Sequence, residues 1–221
     1  MPRENLNKAM DPGFTLLELM ITLSIASILL AMGVPSFRNF FDAQELKGAS
    51  EQVYSHIKRA RVEALSRKKK VGVNFTVDGA GGWAYGVSDA NDGSCNTAQL
   101  VASQIDACTL VVDDGDGNVH DLGGAIDAED KVLMLFRATE HDGIDMTLSD
   151  FTNGSRIVFE PVRGTAMESF GNPSTGRILL QSNGGRQLMV KVGLLGQVRI
   201  CSPDGSMHGY ADRAPADDTD C

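Results

Sequence analysis

The chain has 221 residues, room for one membrane anchor and one domain of ordinary size. It carries 29 acidic against 20 basic side chains, a formal net charge of −9, and a pI near 4.9. That balance excludes a default binder of nucleic acid or of anionic membranes.

Residues 1–13 are polar and end in Gly13. An apolar run of about 21 residues, 14–34, follows at once, broken only by small polar residues and one carboxylate, Glu18. About 20 apolar residues in a helix span a bilayer core. A carboxylate near the start of such a span costs a few kcal/mol and calls for a functional reason. An ordinary secretory signal is cut after its apolar region. Here the small residue Gly13 precedes it, and a cut there is expected to leave the helix in the mature protein. Pro35, just past the run, is expected to kink one long helix, since proline removes a backbone hydrogen bond.

The helical pattern continues from Phe37 to Ser66. Leu46, Val53, Ile57, Ala60 and Ala64 form one apolar stripe, while Lys47, Glu51, Lys58, Arg61 and Glu63 fall mainly elsewhere. This predicts an amphipathic helix with one face for a sheet. Joined to the anchor it makes one helix of about 50 residues, roughly 75 Å long.

After Lys70 the texture changes to short β-like runs separated by Gly, Asp and Asn. Strands are expected at Val71–Val77, Trp83–Ser88, Cys108–Val112, Val132–Ala138, Asp145–Leu148, Arg156–Glu160, Arg177–Gln181, Gln187–Val192 and Gln197–Ser202, paired antiparallel through tight turns. Residues 89–130 hold ten carboxylates and no Lys or Arg, and read as a loop-rich, solvated insertion. The last 20 residues are polar, acidic and expected to be irregular. Four cysteines, Cys95, Cys108, Cys201 and Cys221, lie outside the apolar run and suggest two disulfides in an exported domain. Of three possible pairings, proximity favours Cys95–Cys108 and Cys201–Cys221.

The segment Gly13-Phe14-Thr15-Leu16-Leu17-Glu18-Leu19 and the run behind it resemble the class III signal of type IV pilins and type II secretion pseudopilins. The resemblance implies that a prepilin peptidase cuts after Gly13 and methylates the new amine of Phe14. It implies that Glu18 is the assembly carboxylate, pairing with the Phe14 amine of the same or a neighbouring subunit. Thr15 and Pro35 stand where such chains commonly place them. Further on, Arg156-Ile157-Val158-Phe159-Glu160-Pro161-Val162-Arg163-Gly164 resembles a strand and turn of the GspH/FimT family of minor pilins and pseudopilins. The runs 177–180, 188–192 and Gly196-Gln197-Val198-Arg199-Ile200-Cys201 resemble its three later strands, and Trp83-Ala84-Tyr85-Gly86-Val87 resembles a segment of its FimT and FimU branch. The implied fold is α+β and type IV pilin-like: a long N-terminal helix, transmembrane in its first half, packed on an antiparallel β-domain. The implied organisation is a leader at 1–13, an anchor at 14–34, an amphipathic helix at 35–70 and a periplasmic domain at 71–221. The implied location is the inner membrane and then a filament, with other minor and major pilins or pseudopilins as partners. The implied work is priming or capping assembly near the filament tip of a type IV pilus. A minor pseudopilin of type II secretion is the alternative.

Family members of the FimT type bind DNA through C-terminal basic residues, and Arg199, Arg177 and Arg186 match such a role here. Gln197, where arginine is usual, and the acidic tail weaken it, because phosphate binding depends on cations. The cluster Lys58, Arg59, Arg61, Arg67, Lys68, Lys69 and Lys70 reads first as cations favoured at a helix C-terminus. Contact with acidic neighbours in a filament, or with DNA, are its other readings. Asp114, Asp116 and Asn118 alternate as oxygen ligands for a hard cation, but Val119 and Ala125 replace the glycine and glutamate that a calcium loop needs. The S-x-x-K pattern of Ser55 and Lys58 lacks the companion motifs of β-lactam-recognising enzymes. The four histidines are scattered, and Cys95 and Cys108 are too far apart for a short-spaced zinc pair. Nothing supports catalysis, a cofactor or a small-molecule substrate.

Overall fold

A single helix, α1 (Leu16–Arg67, 52 residues), carries both the apolar run and the amphipathic pattern. The computed structural model describes residues 13–79, 81–112, 130–151, 154–167 and 173–212. The chain divides into two units, 1–40 and 41–221.

In the first unit a side-chain cap opens the helix. Thr15 is the N-cap, and its Oγ1 accepts the N–H of Glu18 at 3.2 Å. The helix then runs on through position 35. The side chains of residues 32–36 lie outside the description, so those of the expected anchor are described only as far as Ala31. Among the described residues no helix is long and apolar enough to cross a membrane.

In the second unit the predicted stripe is the buried face: Leu46, Val53, Ile57, Ala60 and Ala64 are fully buried, joined by Ala49. The strands are β1 (Val71–Val77), β2 (Trp83–Ser88), β3 (Thr109–Val111), β4 (Lys131–Leu133), β5 (Leu135–Arg137), β6 (Ile144–Ser149), β7 (Arg156–Phe159), β8 (Ala166–Met167), β9 (Gly176–Ser182), β10 (Gln187–Val192), β11 (Val198–Ser202) and β12 (Ala211–Asp212). They make two five-stranded sheets, ordered β5-β2-β1-β7-β8 and β12-β11-β10-β9-β6, and the two-stranded ribbon β3-β4. The sheets are antiparallel as expected; among the described strands only the short pair β11 with β12 is parallel.

The ribbon β3-β4 stands apart from the first sheet because the run 132–138, expected as one strand, splits at Met134. Its N–H donates to the Cys108 carbonyl at 2.8 Å, and its own carbonyl accepts from Val87 at 2.9 Å. The residues before it therefore pair with β3, and those after it pair with β2. A 3-10 turn, Ala138–Glu140, then leads towards β6 in the second sheet. The helix stripe, Val71, Val73, Tyr85 and Ile157 of the first sheet, and Ile178, Leu180, Leu188 and Val190 of the second share one core.

The buried pattern of β1 is continuous over its first five residues, whereas β10 alternates. Both faces of β1 are covered. Behind it lies the first part of the acidic insertion: the Asn74 amide donates to the Gly93 carbonyl at 2.9 Å. A Cβ on Gly72 would fall 1.9 Å from that same oxygen, so only glycine admits the contact. Cys95 and Cys108 are disulfide-bonded, with Cα atoms 4.9 Å apart, and the bridge packs against Gly86, where a Cβ would meet Cys108 Sγ at 2.3 Å. The described part of the insertion is thus a layer on the sheet. Solvation, the first reading of this acidic block, leaves out this cover over the sheet; residues 113–129 lie outside the description.

Candidate assembly surface

The N-terminal helix offers an unpartnered apolar surface. Phe14 is 81 % exposed and Leu16 77 %, and every described large apolar residue from Phe14 to Leu30 is at least half exposed. Glu18 lies in the first turn, where the helix dipole favours an anion. The polar side chains of the run turn inward on the helix itself. Thr22 Oγ1 donates to the Leu19 carbonyl at 2.9 Å, Ser24 Oγ to Met20 at 2.7 Å and Ser27 Oγ to Ser24 at 2.8 Å. Gly13 and Phe14 precede the first helical turn.

At the other end of α1 the basic cluster does not form one patch. Arg61 Nε donates to the Gly164 carbonyl at 2.9 Å and Nη2 to the Leu195 carbonyl at 3.1 Å, pinning two turns to the helix. Gly196, at φ 72°, lies against Gly164 at the same place, where a Cβ would come within 2.0 Å of the Gly164 oxygen. Arg67 Nε donates to Glu63 at 2.6 Å, and Nη1 donates to the Val111 carbonyl and reaches Asp89 at 3.5 Å. Arg59 pairs with Glu63 at 3.5 Å, and Lys58 lies 5.0 Å over the Tyr54 ring. Two of these cations therefore act as specific ties to distant carbonyls, which goes beyond the dipole argument.

Polar ties also bind the middle of the helix. Both ring nitrogens of His141 face helix oxygens, Glu45 at 2.7 Å and Gln52 at 2.6 Å. The ring stacks on Trp83, whose indole N–H donates to the Ile144 carbonyl at 2.8 Å. Tyr210 donates to Glu51 at 2.7 Å and ties the C-terminal segment to the helix. None of these partnerships has a sequence signal, because each joins residues far apart in the chain.

The proposed DNA contacts are differently placed. Arg177 pairs with Asp150 at 2.8 Å. Arg177, Lys191 and Arg199 stand in register on adjacent strands, and Arg199 is exposed. Arg186 sits at the β9–β10 turn, away from that row. The cation candidates Asp114, Asp116 and Asn118 lie outside the described residues, as does Cys221. Among the described residues no group of His, Cys, Asp and Glu is arranged to hold a metal ion. Cys201 is disulfide-bonded.

Residues 49–196 match the family profile of the type II transport protein GspH. The chain belongs to the GspH family. Residues 10–34 also match the prokaryotic N-terminal methylation motif, a stretch that holds Gly13, Phe14, Glu18 and the apolar run. Family and motif together make this GspH-family chain a minor pilin or pseudopilin, of the type IV pilus or type II secretion kind. The family is a structural one. A 71-residue stretch is 35 % identical to the pilin-like protein PilA1 of Thermus thermophilus; it covers 32 % of this chain and 44 % of that relative, so the chain spans less than half of its length. Among solved structures, the type IV minor pilin FimU of Pseudomonas aeruginosa aligns at TM-score 0.41 and 12 % identity, over 72 % of this chain and 97 % of FimU. The minor pseudopilin EpsH of the Vibrio cholerae type 2 secretion system aligns at TM-score 0.37 and 14 % identity, over 72 % of this chain and 98 % of EpsH.

Proposed function

We propose that this GspH-family chain is a minor subunit of a type IV pilus that primes or caps filament assembly, and that it is no enzyme. A prepilin peptidase removes residues 1–13 and methylates Phe14. The run 14–34 then holds the subunit in the inner membrane, with the domain in the periplasm, until the helix enters the filament. One observation carries this reading: an exposed apolar run, 14–34, whose lone carboxylate, Glu18, sits in the first turn of the helix. Apolar surface of that extent is stable only in lipid or against other apolar helices. A carboxylate there costs energy unless a cation meets it, and the new amine of Phe14 supplies one. The second reading, a pseudopilin of type II secretion, is favoured by the description of the matching family as a type II transport protein.

The test is Glu18→Ala in cells lacking the wild-type copy, scored by immunoblot of sheared filaments and of membranes. Incorporation is expected to fall by roughly tenfold or more, the scale of losing about 1.4 kcal/mol or more of pairing, while the membrane pool stays near its wild-type level. Wild-type incorporation would sink the assigned role of Glu18. Co-purification with pilus subunits or with secretion pseudopilins separates the two systems.

A further inference from the structure

The disulfide-bonded layer covers the outer face of β1 at Gly72 and Asn74, and stops short of the far end of the strand. Its edge is Thr97, 7 % exposed, whose hydroxyl meets that of Thr76 at 2.7 Å. Ala98 follows, its N–H donating to the Asn96 side chain at 2.9 Å. Beyond this edge lies a cavity of about 280 Å³. Its floor is one row across three strands, because Thr76 pairs with Ala84 and Ala84 pairs with Arg137. Alanine at the centre of that row, with Ala98 and Ala138 also lining the cavity, leaves space that longer side chains would fill.

Two opposite charges line the same cavity, Asp78 and Arg137. Asp78 follows β1, and its Oδ1 accepts the Gly82 N–H at 2.9 Å, which fixes the carboxylate in the β1–β2 turn. An ionised carboxylate has further lone pairs to offer. Arg137 stands on β5, two strands from β1 and so roughly 10 Å across the sheet. It is half-buried, yet among the described residues its one hydrogen bond is long, Nη2 to the Thr97 carbonyl at 3.5 Å. No ion pair joins it to Asp78 or to any other described carboxylate. A cation partly withdrawn from water is costly without an anion. The planar fork of arginine matches a carboxylate through two parallel hydrogen bonds.

We propose that this cavity binds a small zwitterion, a free amino acid or a short peptide, with its carboxylate on Arg137 and its ammonium on Asp78. A simple anion that reaches Arg137 also meets the repulsion of Asp78, and a simple cation meets that of Arg137. A ligand that carries both charges satisfies each and lays its apolar body over Ala84. The volume falls below the range that takes drug-sized ligands, which limits that body to a few carbons. The site lies wholly in the second unit, so it stands apart from the role assigned to Glu18.

The experiment is saturation-transfer NMR on the full chain in detergent, with 4-aminobutyrate, glycine and diglycine as probes and butyrate and butylamine as single-charge controls. Half-saturation by 4-aminobutyrate or diglycine is expected on the order of 1 mM. Binding of diglycine but not 4-aminobutyrate assigns the site to peptides, and the reverse assigns it to free amino acids. Glycine, whose charges are too close to reach both walls, and the two controls are expected to bind roughly tenfold more weakly or worse. Arg137→Gln and Asp78→Asn should each weaken the zwitterion by a similar factor. Ala84→Leu, which keeps both charges and fills the floor, should abolish binding. Lack of saturable transfer to either zwitterion at roughly 50 mM overturns the proposal. So does butyrate or butylamine binding as well as the better zwitterion, or Arg137→Gln binding like the wild type.

Discussion

Tyr85 and His56 show how a buried polar pair settles its own protonation. Burial, and next the charge of Glu140, push the Tyr85 phenol well above its ordinary value. It therefore keeps its proton and donates it to His56 Nδ1 at 2.9 Å. Burial first, and the neighbouring Arg59 second, hold the His56 pKa below 6.5. In the folded protein the ring is neutral where an unfolded chain would begin to take up a proton. The unfolded state thus binds more protons just below pH 6.5, and stability falls as pH falls towards the folded pKa. The contribution is fully present above pH 6.5. The urea midpoint of residues 41–221 is expected to drop between about pH 7.5 and 5.5, and His56→Gln is expected to flatten part of that drop. Identical slopes would show that other groups carry the dependence. At this scale the sequence told little. Arg61 was visible as a helix-end cation, but its Gly164 partner lies 103 positions away and no spacing rule connects them.

The elements were more legible, for a physical reason. β1, β2 and β10 match their expected limits because their side-chain pattern is long enough to register. β8 and β12, at two residues each, have no periodicity to read. The split at Met134 escaped because it depends on which strand pairs on each side, and each half is two apolar residues and one cation. The disulfide layer is the element with the clearest energetic consequence. The Cys95–Cys108 link closes a short loop of sequence separation 13, and such a loop stabilises by about 3 kcal/mol in the chain-entropy view. Replacing both cysteines with serine should lower the urea-derived stability of residues 41–221 by roughly that amount. It should also release the cover over Gly72 and Asn74, seen as faster amide exchange across β1 than across β10. Unchanged exchange in β1 would mean that the Gly93 contact holds the layer without the bridge.

For the whole molecule, the net charge of −9 described the average and hid the arrangement. The cations gather on the helix end and on one row of the second sheet, and many of them are engaged in ties. The first unit ends at Phe40, six residues past the apolar run, and the run's described large apolar side chains find no cover in their own unit. A chain beginning at Phe41 should accordingly stay monomeric without detergent, whereas one beginning at Phe14 should sediment as large assemblies until detergent is added. Soluble monomers from both would remove the need for an apolar environment. The helix hydroxyls bear on how such a segment could change surroundings. Thr22, Ser24 and Ser27 each spend their donor on a carbonyl three or four residues back. No polar group of theirs must be handed from water or lipid headgroup to a new partner on transfer. The helix brings its own solvent for these atoms, so moving it from one apolar medium to another leaves its internal bonds intact and costs little beyond the exchange of neighbours.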